Sequence, residues 1–229
     1  MTSLQKWGKS VRTTIPVMAG YLVLGAGFGI LLRTRGYGLG WALAMSAFIY
    51  AGSMQYVAID LLTGGASLLT TAVTTLLVNA RHLFYGISML ERYRAAGRYA
   101  PYLIFSLTDE TYSLVAARED LTGAERFRIS LLDQLYWVLG TALGSLAGAY
   151  LDFNTTGIDF SLTALFLTVF TEQWLETKDH APALIGLGVS IVCRLLFGAD
   201  SFLLPTMGGM LCCLLVLDAR RTKKGGESV

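Results

Sequence analysis

Eight runs of apolar residues fill most of this 229-residue chain, and only short, turn-forming stretches separate them. The runs cover 15–32, 39–60, 67–90, 101–117, 133–151, 160–175, 181–197 and 202–217. A helix needs roughly 20 apolar residues, rising 1.5 Å each, to cross the hydrocarbon core of a bilayer. The separators, such as Arg33–Gly38, Thr63-Gly64-Gly65 and Arg118–Arg128, carry the charges and glycines. Only 15% of the residues are charged, where a soluble domain carries about a quarter, so the chain lacks the polar surface that water demands. In lipid an isolated segment satisfies its backbone only as a helix. The sequence predicts an all-α integral membrane protein with about seven to eight transmembrane helices, and no separator is long enough to divide 1–229 into more than a single transmembrane domain.

Several function classes fall away on the same grounds. A net charge of +2, gathered at segment ends, argues against nucleic-acid binding. Cys193, Cys212 and Cys213 lie inside apolar runs and form no C-x-x-C pair, so no metal site, disulfide framework or cofactor is expected. Lys6, Lys9 and Arg12 precede the first run as in a secretory leader. That run reaches Leu31-Leu32-Arg33 without a small-x-small cleavage site, so a retained first helix is expected.

Glycine spacing points to close helix packing. Gly25 and Gly29 stack on one face of the first helix, and Gly140, Gly144 and Gly148 do the same in the fifth. These two segments also match each other. YLVLGAGFGIL (21–31) and YWVLGTALGSL (136–146) share Tyr, Val, Leu, Gly, Gly and Leu. Phe48 and Gln55-Tyr56 then align with Phe166 and Gln173-Trp174, and Arg81, Leu83 and Phe84 with Arg194, Leu196 and Phe197. The pattern reads as a duplication: repeat one over about 15–90, a linking segment at 101–117, repeat two over about 133–197 and a final helix at 202–217. An arrangement with 101–117 re-entrant and the N-terminus outside places more Lys and Arg on the cytoplasmic side than eight full crossings with the N-terminus inside do. It also makes the three-helix repeats inverted, a common transporter design, and inverted repeats are the expectation. The basic N-terminal tail argues against it.

Functional residues in a membrane helix are those that lipid penalises, at about 2.5–3.5 kcal/mol for each ionised side chain at mid-membrane. Asn79, Arg81 and His82 sit deep in the third run, and Asp109-Glu110 interrupts the fourth. Both groups read as part of a substrate and proton path, in which Asp109 or Glu110 neutralises Arg81. As helical neighbours, Asn79 and His82 share a face, as do His82 and Gly86. Glu172 and Arg194 lie near helix ends, where a structural role is as good a reading. In the second run, Gly52, Ser53 and Gln55 weaken the helix and expose backbone groups, as in the broken helices that bind zwitterions. Gln173 is the counterpart of Gln55 in the second repeat.

At these residues the chain resembles a known family. Met45-Ser46-Ala47-Phe48-Ile49-Tyr50-Ala51-Gly52-Ser53-Met54-Gln55, then Asn79-Ala80-Arg81-His82, then Thr108-Asp109-Glu110, are similar to the AzlC-type branched-chain amino acid exporters. Ile15-Pro16 and Gly25-Ala26-Gly27-Phe28-Gly29 fit as well, and the likeness is strongest over 15–115. The resemblance implies export of leucine, isoleucine, valine and similar amino acids across the bacterial inner membrane by a multi-pass protein. It also implies a separately encoded small membrane subunit of the AzlD type, and it adds Ser46 to the substrate path. The residues alone reach only a helical membrane protein with a polar interior, most simply a carrier. An intramembrane protease would need GxSG, GxGD or HExxH, and Gly198-Ala199-Asp200 falls short. An ion channel, a permease for another solute class or a non-transporting assembly subunit are the remaining alternatives.

Overall fold

A computed structural model of the chain describes residues 3–116, 118–150, 160, 163–164, 167, 170–171, 174–175 and 177–226. Contacts divide the chain into two compact units, Met1–Leu162 and Thr163–Val229. In the first unit α1 (Ser3–Thr34) precedes α2 (Leu39–Phe48), α3 (Gly52–Thr63), α4 (Leu68–Val78) and α5 (Arg81–Arg94). A 3-10 turn (Gly97–Tyr99), α6 (Ala100–Phe105), α7 (Asp109–Ala116) and α8 (Gly123–Tyr150) complete it. In the second unit α9 (Ala181–Ser201) packs on α10 (Leu203–Gly226), with a kink at Gly198, whose φ is +73°. No strand occurs among the described residues. Two described helices, Leu4–Thr34 and Ala181–Gly198, are long and apolar enough to cross a membrane, and Leu39–Phe48, Leu68–Val78 and Gly208–Leu217 are shorter apolar helices.

The continuous spans expected at 39–60, 67–90 and 101–117 are each broken near their middle. The first breaks at Tyr50, a buried aromatic residue held at φ +38°, in the left-handed region that bulky side chains avoid. The second breaks at Asn79-Ala80, where Asn79 closes α4 and α5 starts at Arg81. The third breaks at Ser106–Thr108, and the Thr108 hydroxyl accepts the Thr111 backbone N–H in the manner of an N-cap. At the third break the hydroxyl replaces a lost helical bond, and at the second the Asn79 carbonyl takes up the His82 N–H in a tighter turn, as irregular backbone in an apolar bundle requires.

The long helices α1 and α8 form the backbone of the first unit. Their glycines face each other: a Cβ on Gly25 would stand 2.8 Å from the Trp137 carbonyl oxygen, and one on Gly140 would stand 2.7 Å from that of Leu22. A Cβ on Gly29 would run into the Thr141 carbonyl, and one on Gly144 into that of Ala26. The two helices run parallel, since Lys9 lies 3.8 Å from Glu125 at one end and Gly148 meets Ile30 and Arg33 at the other. This corrects the inverted arrangement: inverted repeats would set the matched helices 21–31 and 136–146 antiparallel.

The return path of the chain explains the correction. A Cβ on Gly123 would lie 2.9 Å from Cα of Ala96, so α5 ends where α8 begins. Arg92 at the end of α5 also bonds the Ala116 carbonyl and, at 3.2 Å, Glu119. The α6–α7 segment therefore leaves and re-enters at one end of the bundle, its helices of six and eight residues being only about 9 and 12 Å long. Because α1 ends at the opposite end, residues 35–95 make one net passage. The runs 39–60 and 67–90 cannot both be complete crossings, although charge counting credits each with one.

The start of α8 is marked by a capping box. The Thr122 N–H and hydroxyl donate to Glu125 at 3.0 and 2.8 Å, and Glu125 N–H bonds back to the Thr122 hydroxyl at 3.3 Å. The Thr122 backbone N–H, followed by its hydroxyl, holds the Glu125 carboxyl below the usual range. Its stabilisation is present above the ordinary glutamate value of about 4.3 and lost as pH falls through the lowered one. Thermal melts of detergent-solubilised protein across that acid range are expected to lose less stability in Glu125→Gln than in wild type. At the seam, Gly29→Ala and Gly144→Ala are each expected to cost about 1–3 kcal/mol, read as a lowered Tm. Gly20→Ala, whose Cβ meets nothing within 4 Å, is the control that leaves Tm unchanged.

Candidate functional site

Three helices begin at the same place. Arg81, the first residue of α5, is ion-paired with Asp109, the first residue of α7. Its Nη2 also donates to Ser53 Oγ at 2.8 Å, in the first turn of α3. Helix N-termini carry unpaired N–H groups and the positive end of the macrodipole, and Asp109 and Glu110 supply matching negative charge. The breaks create this meeting point, because each starts a new helix inside the bundle. Asn79 and His82 do not share a helix face as expected, because the helix stops between them. Instead, the Asn79 carbonyl accepts from the His82 backbone N–H at 2.9 Å and lies 3.2 Å from its Nδ1. His82 and Gly86 do lie together on α5, lining an apolar groove of about 460 Å³ with Leu83, Ile87, Ile104 and Leu107.

Four polar atoms of the expected site residues on α3, α5 and α7 and at the end of α4 are buried without a hydrogen-bonding partner. Two are donors, Arg81 Nε and Gln55 Nε2, and two are acceptors, Asp109 Oδ1 and Asn79 Oδ1. A buried polar atom left unpaired costs about 1–3 kcal/mol, so these side chains have unmet capacity both to donate and to accept.

The second carboxylate of the pair takes a different path. Glu110 Oε2 accepts from the Tyr21 hydroxyl at 2.7 Å, and that hydroxyl lies 2.7 Å from Thr108 Oγ1. Thr108 donates to Thr111 at 3.2 Å, and Thr111 donates to Asp133 Oδ2 at 2.9 Å. Asp133 is 0% exposed, and its Oδ1 has no partner. Sequence reading missed Asp133 because the apolar run starts at that residue, which made it look like a boundary. In fact α8 starts ten residues earlier, and the Thr122-x-x-Glu125 capping box was the signal that could have shown it. Tyr21 was read only as part of the repeat, and Thr111 carried no signal of its own.

The remaining expected residues fall around this centre or away from it. Gln55 Oε1 accepts from Trp137 Nε1 at 2.7 Å, and Trp137 meets Tyr21 edge-on, with ring centroids 5.3 Å apart. Gly52 lies under the Trp137 ring, where a Cβ would come within 3.0 Å. Ser46 is buried but bonds Thr141 at 2.9 Å on the seam between α2 and α8, and is not joined to Arg81. Gly25, Gly29, Gly140 and Gly144 form the α1–α8 seam. Glu172 and Gln173 lie outside the described residues. Arg194, in the second unit, is exposed and holds its guanidinium 5.4 Å over the Phe202 ring. Among the described residues no three of His, Cys, Asp and Glu gather as a metal-binding group.

Comparison with known proteins identifies the family. The family described as AzlC protein matches residues 16–151. The Bacillus subtilis (strain 168) branched-chain amino acid transport protein AzlC is 46% identical over 209 residues, covering 89% of this chain and 82% of that protein. A Haemophilus influenzae protein named as an uncharacterized membrane protein is 41% identical over 216 residues, 92% of this chain and 87% of its own length. The Escherichia coli inner membrane protein YgaZ is 26% identical over 222 residues, 90% of this chain and 87% of its own length. No solved structure matches the chain. With the family matched over more than half its length and a relative at this identity, the chain is a helical membrane protein that belongs to the AzlC family.

Proposed function

We propose that this chain is the larger subunit of a carrier that exports branched-chain amino acids through the bacterial cytoplasmic membrane, coupled to the proton gradient. The observation that carries the reading is the unpaired set that includes Arg81 Nε and Asp109 Oδ1. An amino acid brings one carboxylate and one ammonium; Arg81 Nε offers the carboxylate a donor, and Asp109 Oδ1 offers the ammonium an acceptor. The starts of α3, α5 and α7 add the dipole field that broken helices use to hold a zwitterion at mid-membrane. Substrate entering between Arg81 and Asp109 opens their ion pair and replaces it with two charge-matched contacts. The apolar groove that starts at His82 accommodates the aliphatic side chain. The name of the Bacillus subtilis relative supports the substrate class.

Charge distribution supports an orientation. Lys6, Lys9, Arg12, Arg92, Arg94, Arg98, Arg118, Arg126 and Arg128 lie at the end of the first unit where α1 and α8 begin, while Arg33 and Arg35 lie at the other. The positive-inside rule makes the first end cytoplasmic, with the N-terminus inside. The small AzlD-type subunit completes the carrier.

Efflux of labelled leucine from preloaded proteoliposomes tests the reading. Arg81→Ala is expected to abolish saturable efflux. Arg81→Lys keeps the charge but loses the planar fork, and is expected to raise KM about ten- to a hundred-fold. Normal efflux from a folded Arg81→Ala protein overturns the site. Gly86→Leu enters open space, so it is expected to fold normally while impairing leucine efflux more than valine efflux. The chain alone is expected to be stable but inactive, and full efflux from vesicles lacking the small subunit removes the partner from the proposal.

A further inference from the structure

Glu110 and Asp133 terminate one continuous chain of hydroxyls, whose hydrogens can be counted. The chain runs Glu110, Tyr21, Thr108, Thr111, Asp133, with contacts of 2.7, 2.7, 3.2 and 2.9 Å. Five groups make four contacts, and each contact needs one hydrogen between its oxygens. The three hydroxyls supply three. If both carboxylates are ionised, Tyr21 gives its hydrogen to Glu110, Thr111 gives its own to Asp133, and Thr108 has one for two neighbours. One oxygen pair then stands at hydrogen-bond distance with nothing between. A single added proton repairs this, and a second overfills the chain.

We propose that Glu110 and Asp133 share one proton through Tyr21, Thr108 and Thr111, and that its transfer between them couples the proton gradient to transport. The presence of the shared proton does not depend on the carrier reading above; its use in coupling rests on that reading. When the proton is on Glu110, every hydroxyl points toward ionised Asp133. Transfer moves each of the four hydrogens across its own contact. Glu110 loses one proton, Asp133 gains one, and the three hydroxyls end intact but reversed. The substrate biases this choice because Asp109 and Arg81 adjoin Glu110. A zwitterion that opens the Arg81–Asp109 pair rearranges the charges beside Glu110 without changing their sum, and so shifts which acid holds the proton.

The surroundings are compatible with a private exchange. Glu110 faces Tyr21 on α1, Tyr50 between α2 and α3, Arg81 and Tyr85 on α5, Asp109 on α7 and Asp133 on α8, while Asp133 faces Tyr50, Tyr102 on α6, and Glu110. The Tyr50 hydroxyl also adjoins that of Tyr21, and as it brings one contact and one hydrogen it leaves the count unchanged. Arg81 is the cation in this set, and it is engaged by Asp109. Asp133, Thr111, Thr108 and Tyr21 are all buried.

Infrared spectroscopy of the purified full chain in lipid, compared in H2O and D2O, reads protonated carboxyl groups directly and needs no transport. At neutral pH the wild type is expected to show one protonated-carboxyl band from this pair. Glu110→Gln and Asp133→Asn are each expected to remove it, since the amide supplies the fourth hydrogen and leaves the other acid ionised. Thr111→Val cuts the chain, so Glu110→Gln added to it is expected to leave the Asp133 band in place. Thr111→Ser keeps the hydroxyl and the wild-type behaviour. Absence of the band in wild type, or its persistence in either single amide variant, overturns the shared proton. In proteoliposomes holding the complete carrier, Thr111→Val is expected to reduce the acceleration of efflux by a pH gradient at least tenfold, with Thr111→Ser restoring it. An unchanged pH-gradient response in folded Thr111→Val overturns the coupling role alone, while loss of all amino acid transport in wild type overturns the carrier reading and leaves the infrared result standing.

Discussion

The contact of α1 with α8 sets the geometry of everything else in the first unit. Lipid offers no hydrophobic gain for pressing two apolar helices together, so close approach must come from packing and from backbone contacts between small residues. Gly25, Gly29, Gly140 and Gly144 supply it, letting carbonyl oxygens of one helix lie against the axis of the other. That approach places Tyr21 edge-on to Trp137, and Trp137 in turn holds Gln55 and lies over Gly52. It also places the hydroxyl of Tyr21, on α1, in one polar chain with Asp133 of α8. A side chain added at the seam would displace the polar centre without touching any of its residues.

The helix breaks do the complementary work. A continuous helix buries its own donors and acceptors and offers a ligand only side chains. Stopping and restarting it at Tyr50, Asn79 and Ser106–Thr108 brings the starts of α3, α5 and α7 to Ser53, Arg81 and Asp109. The left-handed Tyr50 backbone costs of order 1–3 kcal/mol. It persists where the buried phenol is fixed by its surroundings.

How much of this was legible in the sequence follows from what each signal measures. Apolar runs report transfer from water, so the helical membrane character and the seam glycines were readable from composition and spacing. The same runs cannot distinguish a helix from two half-helices, because a break needs only a local substitute for one or two backbone bonds. Attention therefore fell on Gly52, while the left-handed residue is Tyr50. Arg81 and the two carboxylates stood out because charge in lipid is costly, but the division of labour between Asp109 and Glu110 is a matter of which neighbour each reaches. Asp133 was hidden by a boundary drawn where hydropathy changes and not where the helix begins. The direction of α8 was misjudged because charge counting presumes that every apolar run crosses, and here one net passage takes the place of two.

The seam has a further property. Gly25 meets Gly140 and Gly29 meets Gly144, the same offset of 115 positions that relates the matched sequences 21–31 and 136–146. The pair therefore has the symmetry of a parallel homodimer whose two members belong to one polypeptide. In a true homodimer every residue is present twice, so an aspartate at the position of Asp133 would bring a second buried acid into the pair. Here the position related to Asp133 is Met18. Joining the halves in one chain lets one helix carry the acid and the other stay greasy at the matching position, in a seam whose glycine packing remains two-fold.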